Sequence, residues 1–270
     1  MTAIPALATP GKPERVGTPM TSGDFFREAA SAIEAGNLGI FKIEPEMLVA
    51  DRRALLMIQN IVRLHVPGYT YLEIGSAMGG SLFPHLADPA CRLAYSVDAR
   101  PAAQPDERGR SFDYRHATKA VMLANLEQHL PLAAMLKLQA FDMDAAELTA
   151  DDIGQPCDLV FIDAEHTNVA VFRDFLNALS FTKPSAVIVL HDANLVFDAL
   201  ANIECFLQYQ GTKHHALVLP DAVFVVLLGD FVDLAANTLA RWALDKAAYI
   251  DRARRALWLQ IAQNLTASAA

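Results

Sequence analysis

The sequence predicts an α/β protein whose core is a parallel, doubly wound sheet ending in one antiparallel pair, with helical additions at both ends. Three observations carry this. Apolar runs of strand length alternate with helical patterns from residue 69 to 228. The first run, Tyr71-Leu72-Glu73-Ile74, passes into Gly75-Ser76-Ala77-Met78-Gly79-Gly80-Ser81, which reads as strand, tight turn and helix start. The last two runs are separated only by Pro220-Asp221, enough for a hairpin but not for a crossover helix.

Along the chain, residues 1–20 are rich in proline and small residues and read as a flexible arm. Thr21 or Ser22 caps a helix reaching about Ala35, with Gly36 as its stop. Glu46 to His65 is a second helix, ended by Pro67-Gly68. Residues 21–68 therefore form an N-terminal helical extension. In the sheet domain, residues 69–229, strands fall near 70–75, 93–98, 136–141, 158–163, 186–191, 215–219 and 222–228. Helices fall near 79–86, 116–129, 168–179 and 195–209. Residues 230–270 are alanine-rich and helical, broken once. They either pack on the domain or, through Trp242 and Trp258, contact a second copy to form a homo-oligomer.

The 270 residues carry a formal charge of −9, which argues against a general nucleic-acid or anionic-membrane binder. Cys91, Cys157 and Cys205 show no zinc spacing, so a cytoplasmic protein with reduced thiols is expected. No apolar run has membrane-spanning length and no signal-peptide core opens the chain.

Four motifs carry chemistry. The glycine turn places Gly75, Ala77 and Gly80 where a dinucleotide fingerprint needs three glycines; the middle one, which admits the pyrophosphate, is missing. Val97-Asp98 ends the second strand, where a carboxylate can accept from both hydroxyls of a ribose or cap the next segment. Phe141-Asp142-Met143 ends the third strand and reads equally as a base-binding corner or a helix start. The strongest signal is the pair Asp158-Leu159-Val160-Phe161-Ile162-Asp163-Ala164-Glu165-His166 and Ala186-Val187-Ile188-Val189-Leu190-His191-Asp192-Ala193-Asn194. As neighbouring strands about 4.8 Å apart, they bring Asp163, Glu165 or His166 together with His191 or Asp192. Converging carboxylates repel unless protonated or bridged by a cation, and oxygen-rich sets suit Mg²⁺. The competing reading has Asp163 facing the cofactor alone, with His191 and Asp192 capping a helix.

These motifs, in this order, resemble class I S-adenosylmethionine-dependent methyltransferases, specifically the small-molecule O-methyltransferase branch. The nearest likeness is to the bacterial group of cephalosporin hydroxylase-like and macrolide-sugar enzymes. Catechol-type enzymes are more distant. The resemblance spans about Tyr69 to Leu228. It implies a Rossmann-like seven-stranded sheet of order 3-2-1-4-5-7-6, last strand antiparallel. It also implies a methionine-end pocket from Glu73, Gly75, Ser76, Gly79 and Ser81, with Asp98 on the ribose, Asp142 and Met143 at the adenine, and Asp163 beside the cofactor and a metal. Asp192 and His191 are further metal candidates, and Mg²⁺ is the expected ion. Glu73 suits the cationic end of the ligand; its other reading is a brace for the turn. Two departures stand out: Pro184-Ser185-Ala186 replaces the usual Pro-Gly-Gly turn, and His191-Asp192 replaces the catechol-type Asp-Asn. The segment from Ala99 to Tyr114 has no counterpart.

The expected activity is methyl transfer to a hydroxyl of a small molecule, a sugar or another natural product, with catalysis by His166 as general base and Asp163. Two other classes stay open. One is an oxidoreductase, using NAD or an iron held by His166, His191 and a carboxylate. The other is a cofactor-binding module without turnover.

Overall fold

The computed structural model describes residues 21–268; the arm expected at residues 1–20 lies outside them. Helix α1 (Ser22–Glu34) is capped by the Thr21 hydroxyl, which accepts the Asp24 N–H, and Gly36 follows at φ +61°. Helix α2 spans Val49–His65 and buries Asp51, Ala54, Ile58 and Val62 at helical spacing. It starts three residues later than the sequence suggests, because the chain through Pro45 runs across the glycine turn first.

The sheet contains β1 (Tyr69–Ile74), β2 (Cys91–Val97), β3 (Leu138–Phe141), β4 (Cys157–Ile162), β5 (Thr182–Leu190), β6 (His214–Val218) and β7 (Phe224–Leu228). Its order is β3-β2-β1-β4-β5-β7-β6. The strands run parallel up to the β5–β7 and β7–β6 pairs, which are antiparallel. This is the expected arrangement. The strand order reverses between β1 and β4, and a ligand crevice is expected outside the carboxyl ends of such strands.

Helix α3 (Phe83–Ala87) is shorter than expected: residues 79–82 form turns, so no helix N-terminus directly follows Gly79. Helices α4 (Lys119–Glu127), α5 (Leu132–Met135), α6 (Asn168–Ser180) and α7 (Phe197–Tyr209) complete the crossovers, and α8 (Phe231–Ala240) and α9 (Lys246–Ser268) follow the sheet. Strand β5 begins at Thr182, earlier than the sequence suggests, and runs through Pro184.

Alternation along β1 explains the two cores. Leu72 and Ile74 face a cluster with Phe175 of α6, Ile203 of α7 and Leu257 of α9. Tyr69 and Tyr71 face the other, with Ile33 of α1, Val62 of α2, Phe83 of α3 and Phe231 of α8. Each fully buried aliphatic such as Val62 or Ile203 contributes roughly 1.5–3 kcal/mol. Helix α9 packs on the domain through Tyr249, Ala253 and Leu257, while Trp242 and Trp258 remain exposed.

Candidate functional site

The site forms where β1, β2, β4 and β5 end. Gly75 adopts φ +91°, and a Cβ there would lie 2.2 Å from the Asp163 carbonyl oxygen. The glycine therefore lets the turns after β1 and β4 touch. Ala77 takes φ +40°, a costly conformation for a residue with a side chain. Its N–H donates to Asp98 Oδ2 over 2.9 Å, and Arg100 N–H donates to Asp98 Oδ1 over 2.8 Å. Gly79 (φ +88°) closes the turn through its N–H to the Ser76 carbonyl. Gly80 lets another segment approach: a Cβ there would meet Pro45 at 2.7 Å.

Glu73 lies beneath this turn and is fully buried. Tyr71 Oη and Ser81 Oγ each donate to it over 2.7 Å. Burial pushes its carboxyl up to about 8 despite those hydrogen bonds. Both oxygens being occupied, the geometry is that of a brace tying the turn to β1, rather than of a group facing the hollow.

The main hollow is lined by Gly75, Ser76, Ser81, Asp98, Asp163, His166 and Asp192, all named from the sequence except for their company. That company is Glu44 to Met47 before α2, and Arg100, Gln104 and Tyr114 from the segment after β2. A second hollow extends past Ile74 and Val97 toward Ala145, Glu165 and Asp174. Asp98 borders both. Asp142 is in the lining of neither hollow: half-exposed, it accepts from Arg100 Nε over 2.8 Å. Met143 packs against the core that contains β1's Leu72. Glu165 faces the second hollow and accepts from the Thr167 hydroxyl.

Asp163, His191 and Asp192 do converge, each offering an atom within 4.8 Å of the others. His191 Nδ1 lies 3.2 Å from Asp163 Oδ1 and 3.4 Å from Asp192 Oδ2. His166 Nε2 lies 3.1 Å from Asp192 Oδ2 and 3.6 Å from Asp163 Oδ1. Burial alone would raise Asp163, but His191 and His166 bring it well below the ordinary carboxylate range. Burial would lower both histidines, yet the carboxylates around them raise His166 and hold His191 well above an ordinary imidazole. The carboxylates of this cluster therefore favour the protonated form of His166, which makes its neutral ring a stronger base than a free imidazole.

Three features escaped the sequence. Arg100, at φ +47°, donates to the Ala77 and Ala117 carbonyls and to Asp142, locking the glycine turn to the end of β3. The segment without counterpart folds as a small antiparallel hairpin, Ala103–Pro105 with Ser111–Asp113. Its loop docks on the chain after β4: Glu107 N–H donates to the His166 carbonyl, and Glu107 accepts from Asn168 N–H. Asn264 of α9 holds the same loop by donating to the Arg108 carbonyl. The third is Asp51, a carboxylate on the buried stripe of α2, and that placement was a legible signal because a buried charge needs a partner.

Comparison with known proteins adds the following. No curated protein matches the chain. The O-methyltransferase TomG of tomaymycin synthesis from Streptomyces achromogenes, solved with SAM, is 15% identical, covers 76% of this chain and 89% of its own, and has a TM-score of 0.46. An O-methyltransferase from Bacillus cereus, solved with SAH, is 16% identical over 79% and 94%, with a TM-score of 0.45. The N-methyltransferase NodS from Bradyrhizobium japonicum, solved with S-adenosyl-l-homocysteine, is 9% identical over 74% and 97%, with a TM-score of 0.44. Residues 72–193, from within β1 to just past Asp192, match the family model of a methyltransferase domain.

Proposed function

We propose that the protein uses S-adenosylmethionine to methylate a hydroxyl of a small molecule. The observation that carries this is the meeting of two hollows at Asp98, one of them also lined by Asp163, His166 and Asp192. A ligand with a central ribose fits that plan. Its hydroxyls would lie against Asp98, its base in the hollow near Ala145, and its amino-acid end against Ser76 and Ser81. Asp98 already spends one acceptor direction on each of two backbone N–H groups, and a carboxylate retains further lone pairs for the ribose. Glu73 shapes the turn from below, and Asp142 with Met143 would border the base only from the β3 side.

The cofactor supplies an electrophilic methyl group. The chain supplies position: Asp163, His166 and Asp192 surround the space beside the turn, where an acceptor hydroxyl would be held in line. His166 is the group placed to take its proton. The donor set of two carboxylates and one imidazole, with His191 buried and neither of its ring nitrogens in an aligned hydrogen bond, fits a divalent cation such as Mg²⁺ held by Asp163, His191 and Asp192. Such an ion would lower the pKa of a bound hydroxyl.

The chamber also draws Glu44 and Glu46, so the charged side chains in its lining are mainly acidic, with Arg100 among them. That suits a polar hydroxylated acceptor such as a sugar, and disfavours nucleic acid. Among the described residues no helix is long and apolar enough to cross a membrane. The free thiols of Cys91, Cys157 and Cys205 accord with a cytoplasmic location. Pairing of copies through α8 and α9 would use the exposed Trp242 and Trp258.

Calorimetry with S-adenosylhomocysteine tests the reading, followed by methyl transfer across a panel of hydroxylated compounds. Absence of binding would sink it. Binding without turnover would favour the module that binds cofactor without catalysis. His166 and His191 both lie near Asp163 Oδ1, at 3.6 and 3.2 Å, and two histidines with a carboxylate would also suit iron in an oxidoreductase. Metal analysis of the purified protein separates that reading, which requires iron.

A further inference from the structure

Asp51 belongs to α2, outside the span of the methyltransferase domain match, and is 1% exposed. Its carboxylate joins three parts of the molecule. Oδ2 accepts the Leu48 N–H at the start of α2 over 3.1 Å. Oδ1 accepts the Ala222 N–H, in the turn between β6 and β7, over 2.9 Å. Oδ2 also lies 3.4 Å from Nε2 of His191, itself buried at the end of β5.

The two nitrogens of His191 thus face different surroundings. Nδ1 points at Asp163 and Asp192, the acidic centre of the hollow. Nε2 points away from that centre, at Asp51. Neither nitrogen makes an aligned hydrogen bond within the described residues, so a carboxylate on each side is what compensates a ring this buried. Asp51 offers acceptors and no donor, having already taken two backbone N–H groups. A nitrogen facing it is stabilised only when it carries hydrogen.

We propose that Asp51 is a positioning residue: it keeps a hydrogen of His191 on Nε2, so that Nδ1, which faces Asp163 and Asp192 and carries hydrogen there too, is the nitrogen freed when a cation displaces that hydrogen. The N-terminal extension then contributes directly to the chemistry of the domain it covers. A carboxylate behind an imidazole in this way fixes the ring's orientation and tautomer and makes the opposite nitrogen a better ligand or base. The functional meaning rests on the reading of this hollow as the transfer chamber; the state of the ring does not.

The test is ¹⁵N NMR of the histidine side chains in the full chain, with the His191 signal assigned by comparison with His191→Gln. In the wild type, Nε2 is expected to carry hydrogen, in slow exchange with solvent. In Asp51→Ala, exchange of that hydrogen should accelerate about tenfold or more, and the Nε2–H preference should be lost; Mn²⁺ affinity by calorimetry should fall by about 10–100-fold. A wild-type ring with bare Nε2 overturns the proposal even if Asp51→Ala fails to fold. A folded Asp51→Ala variant with a lower melting temperature but an unchanged ring signature also overturns it, since bracing Leu48 and Ala222 alone would give that result. Binding of S-adenosylhomocysteine should be the same in both proteins. If neither binds it, the chamber reading fails while the ring spectrum still decides the role of Asp51.

Discussion

Tyr71 joins two buried groups whose titrations act in opposite directions. Its hydroxyl donates to Glu73, and its ring stacks on His85 with centroids 3.6 Å apart. Burial raises Glu73 from 4.5 to about 8 and lowers His85 from 6.5 to about 3. For Glu73 the folded pKa lies above the unfolded one, so its contribution to stability is complete below 4.5 and is lost as pH rises through about 8. For His85 the folded pKa is depressed, so its contribution is complete above 6.5 and is lost as pH falls through about 3. Each slope is at most about 1.4 kcal/mol per pH unit. Urea midpoints of Glu73→Gln should therefore fall less than wild type between pH 6.5 and 8, and those of His85→Gln should fall less below pH 4.5. Curves parallel to wild type would remove these two groups as the cause. At the chamber, His166→Ala should lower turnover at least about 100-fold while leaving S-adenosylhomocysteine affinity within a few-fold. Asp98→Ala should do the reverse, weakening cofactor binding about tenfold or more through loss of a charge-assisted contact. Unchanged affinity in the calorimeter would end the ribose role of Asp98.

The glycine turn is an element set by packing as much as by ligand. Gly75 is required because the Asp163 carbonyl fills the space a side chain would need, and its φ of +91° adds backbone strain for any other residue. Gly75→Ala should cost more than about 3 kcal/mol in urea unfolding. Gly80 lies against Pro45 instead. Gly80→Ala should lift the segment through Glu44 and Met47, which lines the hollow, and weaken S-adenosylhomocysteine binding more than it lowers the melting temperature. Equal loss of both would mean that the segment matters only to stability. The hairpin after β2 has the same covering role. Its strands are short and exposed, and it is held by contacts from the chain after β4 and from α9.

For the whole molecule, the sheet brings carboxylates from β4 and β5 together with His191, and α2 adds Asp51 from behind. Four carboxylate or imidazole groups in so little space hold one another by mutual neutralisation, and a divalent cation would complete that balance. Dialysis against EDTA should therefore abolish methyl transfer, with recovery on adding Mg²⁺ or Mn²⁺. Full activity in chelator would remove the cation from the mechanism and leave His166 to act beside Asp163 and Asp192 alone.

The strand pattern, the crossover lengths and the shortness of the link around Pro220-Asp221, which spans residues 219–223 in the structure, by themselves determined the sheet, because periodicity and connection length leave few ways to bury those apolar runs. The same local rules marked Gly75, Asp98, Asp163, His191 and Asp192, each at the carboxyl end of a strand where side chains must emerge at the crevice. What only the tertiary structure decided was direction and company. Glu73 sits one residue inside its strand, so the pleat sends it under the turn to Ser81 and Tyr71. Asp142 pairs with Arg100, 42 residues away in sequence, and His166 lies between carboxylates from the ends of two strands. Asp51 meets His191 across 140 residues because α2 lies over the sheet. Such encounters leave no periodic trace in the chain, since they depend on which surfaces pack together after each element has formed.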